Sequence, residues 1–133
     1  MEPNLPVDLE PAHGLQLLHE ITWGLVRGDR VERTPDFTLR QLVILLTVYL
    51  EPPPHTVRGL AGKLGVTKPV ITRALDTMGK HKLLVRRRDL VDRRNVLVQR
   101  TLGGALYVER LAQAIAAHAS ALSSASDAPE VQV

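Results

Sequence analysis

The joint at Gly65-Val66 constrains this chain more than any other stretch. Two short amphipathic segments meet there, and a three- or four-residue turn carrying Gly between two such segments suits a pair of helices crossing at a steep angle. Thr67 stands where a hydroxyl can cap free amide hydrogens, and Pro69 falls in the first helical turn, where a missing N–H does no harm. The spacing predicts a second helix from Lys68 to about His81. At roughly 100° per residue, Ile71, Ala74, Leu75 and Met78 fall on one side of it, while Pro69, Thr72, Arg73, Asp76 and Lys80 fall on the other. The first set is a core face and the second an outward face.

A hairpin follows at once. Leu83 to Arg88 and Asn95 to Arg100 are short β-prone runs, joined through Asp89-Leu90-Val91-Asp92-Arg93-Arg94, whose polar ends suit a turn. Val96 and Val98 lie two apart and share a face. His55 to Val57 is placed to lend an edge strand to the same small sheet. The predicted fold class is therefore mainly α with a small β-hairpin wing: a winged helix-turn-helix, flanked by N- and C-terminal helices suited to pairing two chains.

Charge separates this unit from the rest of the chain. Residues 58–100 carry 12 Lys and Arg against Asp76, Asp89 and Asp92, a net +9; the remainder holds 5 bases and 11 acids, a net −6, which together give the chain's +3. A basic surface concentrated on one compact unit is the footprint of phosphate contact, since each neutralised phosphate releases counterions. The plain alternative is a solvated charged face.

The residues on the outward face supply candidate contacts. A guanidinium fork at Arg73 can meet O6 and N7 of guanine together, the alternatives being a phosphate clamp or an ion pair to Asp76 or Asp92. Lys68, Thr72 and Pro69 stand near the helix's amino end, where side chains reach base edges or phosphates. Thr67 is read as a cap before a contact, and Val70, on the flank, either touches a thymine methyl or packs in the core. At the wing, Arg93 and Arg94 project from a tip narrow enough for the minor groove of A·T-rich tracts. Arg86, Arg87 and Arg88 suit flanking phosphates, which position without specifying.

These residues also carry a resemblance. Leu60-Ala61-Gly62-Lys63-Leu64-Gly65-Val66-Thr67, Ile71-Thr72-Arg73, Leu83-Leu84-Val85-Arg86, and the wing Asp89 to Arg94 followed by Thr101 and Gly104 are similar to the MarR family of bacterial transcription regulators, over about Thr38 to Leu106. The most specific part is the Asp-Arg-Arg of the wing with the Thr-x-x-Gly that opens the next helix. The resemblance implies a homodimer of winged helices on pseudo-palindromic double-stranded DNA, recognition helix in the major groove and wing in the minor groove. It implies that Arg94 is the inserted arginine, with Asp92 orienting a neighbouring arginine, and that a small-molecule effector is a further partner to expect. Three positions depart from the pattern. Lys82 stands where the family usually has Gly, the residue that ends a helix in a left-handed conformation cheaply; Arg100 replaces a usual Leu; and Val70 replaces a residue that is often polar.

The rest of the chain is read around this unit. Residues 1–10 read as a loose arm and 124–133 as a flexible tail, with Gly28-Asp29 ending a first helix from about Pro11 to Arg27. Leu15, Leu18 and Trp23 lie on that helix, Trp23 either packing at a subunit contact or stacking on a ligand. Thr38-x-x-Gln41 is a capping box opening the most apolar helix, Leu39 to Leu50, which must be surrounded by other elements. Pro52-Pro53-Pro54 stops it, and Thr56 caps the next helix. After Thr101 an alanine-rich helix runs to about Ser123. Its stripe Leu111, Ile115, His118 and Leu122 reads as a dimer seam, which two-fold helix-turn-helix proteins need to address two half-sites; the alternative is packing on the chain's own core.

With 133 residues, 44% hydrophobic and 23% charged, the chain reads as one domain, with 38–101 as the winged helix-turn-helix and 11–37 with 102–123 as dimerisation helices and connector. No basic-then-apolar leader opens it, so a cytoplasmic location is expected, and the apolar helix Leu39 to Leu50 is too short to span a bilayer. Zero cysteines leaves no disulfide, thiolate site or thiol switch. No serine precedes Ser120, and His13, His19, His55, His81 and His118 lack metal-ligand spacing, so no catalytic set assembles and neither cofactor nor metal is expected. The rival reading is a winged helix used as a protein-interaction or architectural DNA-binding module of weak sequence preference.

Overall fold

The computed structural model describes residues 9–27, 36–123 and 129–132. The expected loose arm over 1–8, the helix stop at Gly28-Asp29 and most of the C-terminal tail lie outside them. The elements are α1 (Pro11–Arg27), α2 (Leu39–Leu50), β1 (His55–Thr56), α3 (Val57–Leu64), α4 (Lys68–Lys80), β2 (Leu84–Arg88), β3 (Val96–Arg100) and α5 (Leu102–Ser123). The chain divides into two compact units, Thr34–Leu111 and the combination of Met1–Arg33 with Ala112–Val133.

In the first unit, α2 is the hub. Thr38 Oγ1 accepts from Gln41 N at 3.1 Å and Gln41 Oε1 accepts from Thr38 N at 2.9 Å, the reciprocal pair expected from the sequence. Ile44, Leu45 and Val48 of this helix are fully buried with Ile71, Leu75 and Met78 of α4, and Leu60, Leu83, Leu84 and Val98 belong to the same cluster. Each such side chain contributes about 1.5–3 kcal/mol on burial. The inward set predicted for α4 is the buried set observed, Ile71, Ala74, Leu75 and Met78.

β1, β3 and β2 form an antiparallel sheet in that order, with His55 opposite Val98 and Thr56 opposite Leu97. Thr56 also caps α3 by accepting from Gly59 N at 2.9 Å. Its two neighbours in sequence thus start a strand pair and a helix within one turn of chain.

In the second unit, α1 has no buried residue along its length. Leu18 is 59% exposed and Trp23 57%, with Leu15 and Ile115 also exposed. His118 Nδ1 lies 3.1 Å from Glu20 Oε2, so this part of α5 is tied to α1. Leu122 is buried, as is Leu111 at the end of the first unit, whereas Ile115 between them on the helix is exposed.

Candidate nucleic-acid interface

The interface is built on how two helices end. At the close of α3, Gly65 takes φ 67°, Gly65 N donates to Gly62 O at 3.3 Å, and Val66 N donates to Ala61 O at 3.0 Å. At the close of α4 the same pattern recurs, with Lys82 N donating to Gly79 O at 3.0 Å and Leu83 N to Met78 O at 2.9 Å. The left-handed residue there is Lys82, at φ 59°. The departure from Gly is therefore met by a strained lysine, and the helix ends as a glycine would have ended it.

Lys82 is held from outside. Thr101 Oγ1 donates to Lys82 O at 2.7 Å and accepts from Gly104 N at 2.9 Å, so one hydroxyl links the end of α4 to the start of α5. Tyr49 Oη accepts from Thr101 N at 3.0 Å and lies 3.0 Å from Leu83 O, to which it donates. A Cβ at position 104 would overlap both Tyr49 Oη and Leu83 O. These contacts give the Thr101-x-x-Gly104 motif its physical reason: the threonine bridges two helix ends, and glycine lets a tyrosine hydroxyl approach the backbone.

Arg100 secures the foot of the wing. Its Nε donates to Val48 O at 2.8 Å and its Nη2 to Glu51 O at 3.1 Å, with the guanidinium carbon 5.7 Å from the centre of the Tyr49 ring. Carbonyls left free at the end of α2 are satisfied by a cation, which also suits the negative end of the helix dipole. A leucine in this place would remove both bonds, leaving Glu51 O with His55 Nε2, 3.1 Å away.

The outward face of α4 presents Thr67, Lys68, Pro69 and Arg73 to solvent, with Thr72 and Val70 partly covered. Thr67 occupies the cap position in extended backbone, but its side chain makes no capping bond; its carbonyl accepts from Val70 N and Ile71 N instead. The cap expected there is absent, and Thr67 is exposed. Arg73 pairs with neither Asp76 nor Asp92. Asp76 is taken by Arg86, whose Nη2 lies 2.6 Å from Asp76 Oδ1.

The pleat sorts the three consecutive wing arginines. Arg86 pairs with Val98 and Arg88 with Val96 across the ladder, whereas Arg87 pairs with Leu97. Side chains alternate along a strand, so Arg87 projects from the opposite sheet face. At the tip, Asp92 Oδ1 accepts from Arg94 Nε at 3.1 Å and from Arg94 N at 3.1 Å, and Oδ2 lies 3.3 Å from Arg94 Nη2. These bonds, the side-chain one foremost, hold the Asp92 carboxyl below the ordinary carboxylate range, and the charge of Arg58 adds to the effect. Arg93 stays exposed, with no such tie among the described residues. One participant escaped the reading of the sequence: Arg58, on the first turn of α3, whose charge reaches the wing. Arg100 was marked there only as a departure from the family pattern, and its partners, which lie far along the chain, were not foreseen.

Beside Trp23, an open hollow of about 490 Å³ is lined by His19, Thr22, Val26 and Arg27. Among the described residues no cluster of acids and histidines is arranged to hold a metal, and no helix is long and apolar enough to cross a membrane.

Residues 37–96 match the MarR family. No curated protein sequence matches the chain. Solved structures share its fold. An S. aureus MepR mutant bound to an oligodeoxyribonucleotide is 22% identical with a TM-score of 0.70, over 86% of this chain and 79% of that one. The transcriptional regulator Tm0710 from Thermotoga maritima is 27% identical with a TM-score of 0.62, over 84% and 78%. Reduced AbfR bound to DNA is 20% identical with a TM-score of 0.58, over 80% and 72%.

Proposed function

We propose, on the match of residues 37–96 to the MarR family, that the chain is a transcriptional regulator of that type that binds double-stranded DNA as a homodimer. Each α4 enters a major groove at one half of a pseudo-palindromic operator, and each wing enters the adjacent minor groove. The observation that carries this reading is the presence on one unit of an exposed Arg73, without an ion pair among the described residues, together with the wing-tip arginines Arg93 and Arg94, within a segment of net +9. Arg73 reads a base edge, Lys68 and Arg88 contact phosphates, and Arg94, oriented by Asp92, tracks the minor groove. That MepR and AbfR have been captured on DNA supports the same docking for a chain of this fold.

The partner surface is α1. Leu15, Leu18 and Trp23, joined by Ile115 of α5, leave an apolar surface that a second copy covers, and two-fold pairing sets the two recognition helices about one DNA turn apart. The test is selection of duplexes from a random pool followed by anisotropy titration. The regulator reading expects a short palindrome bound about a thousandfold or more above random duplex. Equal binding to all sequences identifies an architectural protein instead, and retention of a protein partner by Arg73→Ala/Arg94→Ala identifies an interaction module.

A further inference from the structure

Hairpin tips are normally polar, because their backbone and side chains stay in water. This tip is not. Leu90 is 87% exposed and Val91 96% exposed, side by side at the extremity of the wing. The loop beneath them is pinned from inside. Asp89 Oδ1 accepts from Val91 N at 2.9 Å and Asp92 N at 3.3 Å, while Asp89 N donates to Asn95 O at 3.1 Å and Asn95 N to Asp92 O at 3.0 Å. Both carboxylates of the tip are thus engaged, Asp89 by backbone amides and Asp92 by Arg94. What the tip offers outward is two branched apolar side chains beside the guanidinium groups of Arg93 and Arg94.

That arrangement matches a nucleic-acid groove, with phosphates at its rim and apolar deoxyribose along its walls. It does not match a protein partner, since a stable protein interface takes about 800 Å² per side, far beyond two side chains on a loop that also carries Arg93 and Arg94. We infer that Leu90 and Val91 form an apolar wedge that seats in the minor groove between the arginine contacts, giving the wing a salt-independent share of affinity. The wedge rests on the DNA-binding reading above and adds to it a contact that the arginines do not make. Apolar wedges act at base steps that unstack easily, so sites with a pyrimidine–purine step under the wing are preferred.

The test uses the full chain, the duplex that wild-type protein enriches from a random pool, and anisotropy titrations over a salt series. Leu90→Ser/Val91→Ser weakens binding about tenfold at every salt concentration, as for two partly buried branched side chains, with the slope of log K against log salt unchanged. Both side chains are exposed, so the melting temperature stays at the wild-type value. A photoreactive Val91→p-benzoylphenylalanine variant crosslinks to the duplex. Wild-type affinity in the serine variant, a slope that falls along with affinity, or crosslinking only to protein overturns the wedge and leaves the regulator reading standing. Failure of wild-type protein to enrich any duplex removes that reading, and the wedge with it.

Discussion

Arg86 Nη2 lies 2.6 Å from Asp76 Oδ1, which ties β2 of the wing to the outward face of α4. An acid on a face proposed to meet phosphate is otherwise hard to account for. Paired, it links the two elements proposed to enter adjacent grooves, while Arg73, one turn earlier, makes no ion pair with it.

Asp76→Asn is expected to change stability by less than about 1 kcal/mol, because both partners are substantially exposed. Its effect appears on DNA. Arg86 is released to bind phosphate, so affinity for random duplex rises, the ratio of operator to random binding falls, and the salt slope steepens by about one per subunit. An unchanged ratio would count against a positioning role for the pair.

Gly104→Ala places a methyl group on Tyr49 Oη and Leu83 O. The expected cost is about 3 kcal/mol or more, at the upper end of overpacking, read as a lower denaturant midpoint. Tyr49→Phe/Gly104→Ala does not restore stability, since the Leu83 carbonyl remains in the way. Full rescue by the double variant would show that the hydroxyl alone excludes a side chain.

Lys82→Gly relieves a left-handed lysine at φ 59° and is expected to raise stability by about 1 kcal/mol, whereas Lys82→Val lowers it. Chemical denaturation of the three proteins decides the order.

Arg100→Leu removes the bonds to Val48 O and Glu51 O. The loss is expected to be about 1–2 kcal/mol, since carbonyls at the end of α2 lose a charged donor. Thermal melting reads it, and a neutral result would mean that water replaces the guanidinium without cost.

The Asp92 carboxyl titrates below the ordinary range because Arg94 donates to it. A carboxyl with a depressed folded pKa adds stability above its unfolded pKa and loses it as pH falls through the folded one, here below about pH 4. NMR titration of wild type and Arg94→Ala checks the cause. The variant's Asp92 pKa moves up toward the ordinary value, and an unmoved pKa would show that the pair is not populated in solution.

What could be read from the chain follows from the range of the interactions involved. The capping box at Thr38 and Gln41, the buried stripe of α4 and the alternation of β3 depend on residues within about a turn or a strand of one another, so period and cap chemistry reveal them. Charge, too, sums along the sequence whatever the fold, and so the basic unit was visible. Thr67 was misjudged because a hydroxyl at a cap position permits a capping bond without compelling it.

By itself the sequence determined which segments are helices, which face of α4 is apolar and that a basic wing follows it, because local spacing and composition settle those matters. Only the tertiary structure decided that Arg86 and not Arg73 takes Asp76, that Arg100 closes α2, that Lys82 bears the left-handed turn, and that Leu111 and Leu122 are buried while Ile115 between them is exposed. Each of these outcomes joins groups whose separation in space is unrelated to their separation along the chain, or is set by how much of a helix face the rest of the fold covers, and neither quantity exists until the chain has folded.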